Sequence, residues 1–168
     1  IFVGDTSVHE YPNAEQLADI AISSARVVRL FGFDPKVAFV SHSTFGQPLT
    51  SRTKHIRQAV EILKNKKVDF KFDGDMQPDV ALSDEYKNLY PFSKIVGNAN
   101  ILIMPGQHSA AISYKMMKTL GDAKVIGPLL IGLGLPIEIA PLRSSTSEII
   151  NLASIAAYSA DVIDYKKD

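Results

Sequence analysis

The chain has 168 residues, of which 46% are hydrophobic and 21% are charged, and 18 basic side chains balance 18 acidic ones. Such a length and composition predict one globular domain of ordinary size. Zero net charge argues against nucleic acid or an anionic membrane surface as a main partner. The absence of cysteine excludes disulfides, thiolate catalysis and cysteine-ligated zinc, and it fits a cytoplasmic location. No apolar run is long enough to span a membrane.

Segments with strand spacing and helix spacing alternate along the chain. Since the sequence opens at Ile1 within the first strand, we expect a fragment of a longer protein. The predicted strands cover residues 1–4, 37–41, 68–72, 101–104, 125–133 (strand or strand plus loop) and 136–140. The predicted helices cover residues 14–30, 51–64, 79–89, 108–120 and 146–163. This alternation predicts an α/β fold, a three-layer αβα sandwich around a largely parallel sheet.

Capping signals support the first and last of these helices. Asn13 is a suitable N-cap with Gln16 three residues later, and Gly32 provides a left-handed C-cap. Ser145 and Glu148 form the same kind of capping box before the last helix. The helix boundaries are therefore predicted by local chemistry as well as by apolar spacing.

The stretch 37–46 has the pattern of a ligand-binding site. A short apolar strand runs into a small-polar loop, and α/β sheets place ligands outside the carboxyl ends of their strands. Hydroxyl and loop N–H groups there can hold phosphate or carboxylate oxygens. A turn whose hydroxyls cap the next helix is an equally good interpretation. The candidate binding residues in this loop are Ser41, His42, Ser43, Thr44 and Gly46.

Three positions outside the loop are further candidates. Asp73 and Asp75 flank Gly74 in a predicted turn at a strand end, where carboxylates can bind a cation or act as a base, although an Asx-type turn is the commoner role. Of the two, Asp73 is the candidate for the ligand site. Lys115 lies in an otherwise apolar helix and can reach an anion or extend to solvent. Gly127 allows a ligand or another chain to approach the backbone closely.

Other polar residues carry less information. None of the four histidines has the spacing of metal ligands, so no metal site is expected. The basic residues of the helix 51–64, Arg57 and Lys64 among them, are most simply a solvated face. The residues alone therefore predict a polar cleft lined by strand-end loops and do not identify its chemistry.

Taken together, several segments in one order resemble the phosphate acetyl/butyryltransferase family. They are DT (5–6) with PNAEQLA (12–18), FGFDPKVA (31–38), SHSTFG (41–46), DGDMQ (73–77), ANILIMP (99–105) and IGPLLIG (126–132). The resemblance implies a fold similar to isocitrate and isopropylmalate dehydrogenases, with a cleft between two α/β domains. Residues 1–139 would form the second domain. Residues 140–168 would carry a helix that packs on a first domain absent from this sequence.

One stretch departs from the family pattern. Active members carry Ser-Arg-Gly-Cys-Ser after the last strand and an Asp before the final helix. Aligning residues 149–151 with that helix places Pro141 at the Ser, Leu142 at the Arg and Glu148 at the Asp. A shift of one residue moves Arg143 to the Arg position but places Leu142 at the Ser. Because Pro and Leu neither donate hydrogen bonds to an oxyanion nor move protons, we expect no catalytic residue in this domain.

Domains altered in this way resemble the C-terminal part of large bacterial hybrid NADP-dependent malic enzymes. The resemblance implies that an N-terminal part of the same chain converts malate and NADP to pyruvate, CO2 and NADPH with Mg or Mn, and that this domain holds no cofactor. The domain would bind acetyl-CoA or a related metabolite, regulate the enzyme allosterically and help assemble a homodimer or larger oligomer. The loop 41–46 with Asp73, Lys115 and Gly127 would line the effector site.

Two other interpretations remain open. The chain can be part of an active phosphate acetyl- or butyryltransferase that moves an acyl group between phosphate and CoA. It can also be a purely structural dimerisation domain with an empty cleft, since the apolar helices 14–30 and 146–163 could supply an interface.

Overall fold

A computed structural model describes residues 1–95 and 98–162, apart from the side chains at positions 52 and 87. The strands are Phe2–Gly4 (β1), Lys36–Val40 (β2), Lys71–Met76 (β3) and Ile101–Ile103 (β4). The α-helices are Ala14–Leu30 (α1), Ser51–Lys66 (α2), Pro78–Leu82 (α3), Gln107–Leu120 (α4) and Thr146–Val162 (α5), and a 3-10 helix covers Asp84–Asn88. The chain divides within α4 into a first compact unit, Ile1–Ser113, and a second that starts at Tyr114.

The four strands form one parallel sheet in the first unit, in the order β1-β4-β2-β3. Ile101 of β4 is level with Phe2 of β1 on one side and with Val37 of β2 on the other. The strand that comes last in the sequence is therefore central, which explains why its three residues are all buried. The carboxyl ends of all four strands lie at one edge, and the loops that follow them share that edge.

Helices cover both faces of this sheet. On one face, Leu17 of α1 and Leu63 of α2 pack with Phe39 and Ile103 in one hydrophobic cluster. On the other face, a second cluster joins Val40, Leu102 and Met76 to Val80 of α3 and Ala110 of α4. The prediction of a three-layer αβα arrangement around a parallel sheet is confirmed.

Helix α1 begins and ends as its sequence predicts. The Asn13 side chain accepts from the Gln16 N–H and the Gln16 side chain accepts from the Asn13 N–H, each at 2.9 Å. At the other end, Gly32 adopts φ +80°. The N–H groups of Gly32 and Phe33 donate to carbonyls of the last turn at 2.8 and 3.1 Å. This pairing is a Schellman motif, which a left-handed glycine makes possible.

The prediction of a turn at residues 73–75 is wrong. These residues belong to β3, which starts three residues later than the predicted strand 68–72 and continues through the Asp-Gly-Asp sequence. Gly74 lies against Phe39 of β2, where an added Cβ would come within 2.7 Å of the Phe39 Cβ. Glycine at position 74 permits this close approach to Phe39. The Asp-Gly-Asp sequence therefore pairs with β2 as part of a strand, despite its turn propensity.

Two other element predictions also need correction. The predicted helix 79–89 is divided into α3 and the 3-10 helix. The strands predicted over 125–133 and 136–140 are absent. Residues 121–145 contain neither helix nor strand. Prolines and glycines interrupt these apolar runs, and proline cannot donate to a strand ladder. The predicted end of the last helix, near residue 163, lies outside the described residues.

Candidate ligand-binding site

The loop after β2 turns its hydroxyl groups inward. Ser41, Ser43 and Thr44 are buried, whereas the His42 side chain is exposed. The Ser43 hydroxyl donates to the carboxylate of Asp75, and the Ser41 and Ser43 Oγ atoms are 3.2 Å apart. Thr44 Oγ1 accepts from the backbone N–H of residue 77 at 3.2 Å. These hydroxyls therefore stabilise the loop itself.

Backbone donors of the same loop also have partners. The Phe45 N–H donates to the Asp75 carbonyl at 2.6 Å, and the Gly46 N–H donates to Asp75 Oδ1 at 3.1 Å. Thr44 and Gln47 exchange N–H to carbonyl bonds at 3.2 and 3.1 Å. These N–H groups are therefore already engaged within the protein. The binding role assigned to Ser41, His42, Ser43, Thr44 and Gly46 stays a prediction.

A buried carboxylate, Asp75, holds the loop in place. Phe39 pairs with Gly74 while the next residue of β2 pairs with Met76, so Asp75 is an extra residue in β3. Such a bulge redirects a side chain out of the regular ladder. Asp75 has no exposed surface and accepts from Ser43 and Gly46. The sequence suggests this role only weakly, through an acidic residue at the end of one strand and a Ser/Gly loop after another.

Asp73 has different partners. Its Oδ2 atom accepts from Ser93 Oγ at 3.1 Å and from the Lys94 N–H at 2.7 Å, while Oδ1 accepts from its neighbour Gly74 at 3.0 Å. Asp73 therefore fixes residues 93–94 beside the end of β3. Asp73 lines a cavity beside Arg57, whereas Asp75 contacts the loop.

Arg57 of α2 approaches the loop and the buried carboxylate. Its Nε atom lies 4.0 Å from Asp75 Oδ1, and its side chain is 51% exposed. A Cβ at Gly46 would come within 2.8 Å of the Arg57 guanidinium, and Gly46 has φ +81°. The positive φ favours glycine at this position, whereas the flexible, half-exposed end of the Arg57 side chain could move to make room for a Cβ. Arg57 is exposed, as expected for the solvated face of α2, but its Nε atom also approaches the buried carboxylate of Asp75.

An open cavity of about 290 Å³ lies beside Arg57 and the loop, within the first unit. Its aromatic wall consists of Phe45 and Phe92, whose ring centroids are 4.9 Å apart in an edge-to-face arrangement. Within the cavity lining, Lys64 pairs with Glu61 at 2.6 Å. The lining residues are Phe45, Arg57, Val60, Glu61, Lys64, Asp73, Gly74 and Phe92. The surface of this cavity is mainly polar, with side chains of both charges beside the two phenylalanines.

The second unit contains the other two candidates. Lys115 Nζ lies 5.9 Å from the centroid of the Tyr114 ring, a cation–π contact. Gly127 has φ +126°, and an added Cβ would meet the backbone of Leu129 at 3.1 Å. The ligand contacts expected of Lys115 and Gly127 stay predictions.

The stretch that departs from the family pattern lies in this second unit. Pro141, Leu142 and Arg143 are exposed. Glu148 completes the predicted capping box: it accepts from the Ser145 N–H at 2.7 Å, and its own N–H donates to Ser145 Oγ at 3.3 Å. Hydrogen bonds from Ser145, together with Lys118, lower the pKa of Glu148. The capping box is confirmed, and the Glu148 carboxylate has structural partners.

In the first unit, the loop after β1 contains a partly buried carboxylate, Asp5. Burial raises the pKa of Asp5, but hydrogen bonds from the Val8 N–H, the His9 ring and the Ser7 N–H lower it by more, so the pKa lies below its ordinary value of 3.8. A carboxyl group whose pKa is lower in the folded state stabilises the fold above its unfolded pKa. That contribution disappears as the pH falls through the folded pKa.

We therefore expect the stability difference between the unmodified protein and Asp5→Asn to depend on pH. The difference should be fully present at neutral pH and should shrink once the pH falls below the ordinary value of 3.8. Urea denaturation of both proteins across this range measures it. A difference that stays constant down to the lowest accessible pH would contradict the assignment.

Among residues 1–95 and 98–162, no three histidine or acidic side chains are grouped as metal ligands. None of the described helices has the length and apolar character that crossing a membrane requires.

Comparisons with known proteins give consistent similarities. A sequence model of the family described as "Phosphate acetyl/butaryl transferase" matches residues 1–157. The NADP-dependent malic enzyme of Rhizobium meliloti (strain 1021) is 47% identical over 160 residues, which cover 95% of this chain and 21% of that enzyme. The phosphate acetyltransferase of Clostridium acetobutylicum is 35% identical over 162 residues, covering 95% of this chain and 49% of that enzyme.

Solved structures show the same similarity. The crystal structure of a phosphotransacetylase from Streptococcus pyogenes matches with a TM-score of 0.90 and 34% identity, over 95% of this chain and 49% of that chain. The chain therefore spans about a fifth of the malic enzyme and about half of either transferase. The resemblance expected from the sequence motifs is confirmed, and so is the expected likeness to the malic enzymes.

Proposed function

Because the chain belongs to the phosphate acetyl/butaryl transferase family, we propose that it is the transferase-like regulatory domain of an NADP-dependent malic enzyme. The supporting observation is the 47% identity to the Rhizobium meliloti malic enzyme over 95% of this chain, against 35% to the Clostridium acetobutylicum transferase. The parent would convert malate and NADP to pyruvate, CO2 and NADPH, with NADP and Mg or Mn bound outside this domain. The cytoplasm is its proposed location.

In this proposal, the domain does not transfer acyl groups. Acyl transfer between phosphate and CoA needs hydrogen-bond donors at the developing oxyanion and a group that moves the thiol proton. The exposed side chains of Pro141 and Leu142 supply neither. The Glu148 carboxylate is engaged by Ser145 and Lys118, which favours its charged form and a structural role.

The domain would act instead by binding acetyl-CoA or a related metabolite at the edge of its sheet. An effector changes activity when it binds one state of the enzyme more tightly than another. The Asp75-braced loop 41–46 and the adjoining Arg57 would form part of the effector site. Self-association into a homodimer or larger oligomer would carry the change to the malate-oxidising part.

Malate-dependent NADP reduction by the full-length parent, with and without acetyl-CoA, tests this function. We expect the rate to change with acetyl-CoA, and the change to disappear when the region containing this domain is deleted. A coupling of about 1–3 kcal/mol corresponds to roughly a 5- to 150-fold change in affinity. A parent that does not oxidise malate would contradict the proposal.

An active phosphate acetyl- or butyryltransferase is the second candidate, since the structural match to the Streptococcus pyogenes enzyme has a TM-score of 0.90. The same full-length preparation should be assayed for CoA-dependent consumption of acetyl phosphate. We expect no turnover above background. Turnover at enzymatic rates would favour this candidate and would assign the catalytic groups to other residues.

A further inference from the structure

We draw no further inference here: the strongest candidate, the apolar surface that Ile137, Ile139, Ile149 and Ile150 expose in the second unit, carries nothing, because nothing among the described residues shows what covers it.

Discussion

Asp75→Ala should lower the free energy of unfolding by about 3 kcal/mol, since each buried polar group left without its partner costs about 1–3 kcal/mol. Two groups lose their acceptor: the hydroxyl of Ser43, which is fully buried, and the N–H of Gly46. The half-exposed Arg57 guanidinium loses its counterion but remains hydrated. Urea denaturation of both proteins measures the difference.

Asp69→Ala is a matched control for this prediction. Asp69 also faces an arginine, at 2.9 Å from Arg29, but its side chain is 77% exposed. An exposed ion pair contributes roughly 0–1 kcal/mol. Equal losses in Asp75→Ala and Asp69→Ala would show that the Asp75 carboxylate does not brace the loop. A loss confined to Asp75→Ala would support the bracing role.

The sequence predicted those elements whose signals are local. Asn13 and Gln16 form a hydrogen-bonded capping box within one helical turn, and Gly32 ends the same helix by its own conformation. Ser145 and Glu148 do the same at the last helix. These interactions need no partner from elsewhere in the chain. The spacing of apolar residues predicted the helices α1 and α2 and the central strands for the same reason.

Contacts between distant segments could not be predicted in this way. The polar neighbours of Arg57 on its helix predict a solvated side chain. Only the fold shows that this side chain also approaches Gly46 and Asp75. The choice between Asp73 and Asp75 depends on a one-residue bulge opposite Phe39, which no local pattern specifies. The apolar runs at 125–140 have strand composition, but a strand requires a neighbour with which to pair.

Gly74 shows how such a distant contact limits the sequence. Gly74→Ala would place a Cβ 2.7 Å from the Phe39 Cβ and 2.9 Å from the Phe39 carbonyl oxygen, at φ +154°. Phe39 is fully buried and cannot move aside without disturbing the cluster it shares with Leu17 and Leu63. Overpacking and backbone strain each cost about 1–3 kcal/mol, so we expect a loss of about 3 kcal/mol or more.

Gly134→Ala provides the control, because an added Cβ there meets nothing within 4 Å. It should leave stability unchanged or raise it slightly, since alanine restricts the unfolded chain. Urea denaturation of the two variants therefore separates the general effect of replacing glycine from the contact with Phe39. Similar midpoints would contradict the close approach of β2 and β3 at Gly74. A large loss in Gly74→Ala alone would indicate that the Asp-Gly-Asp sequence serves the pairing of these strands, and with it the position of Asp75 under the loop.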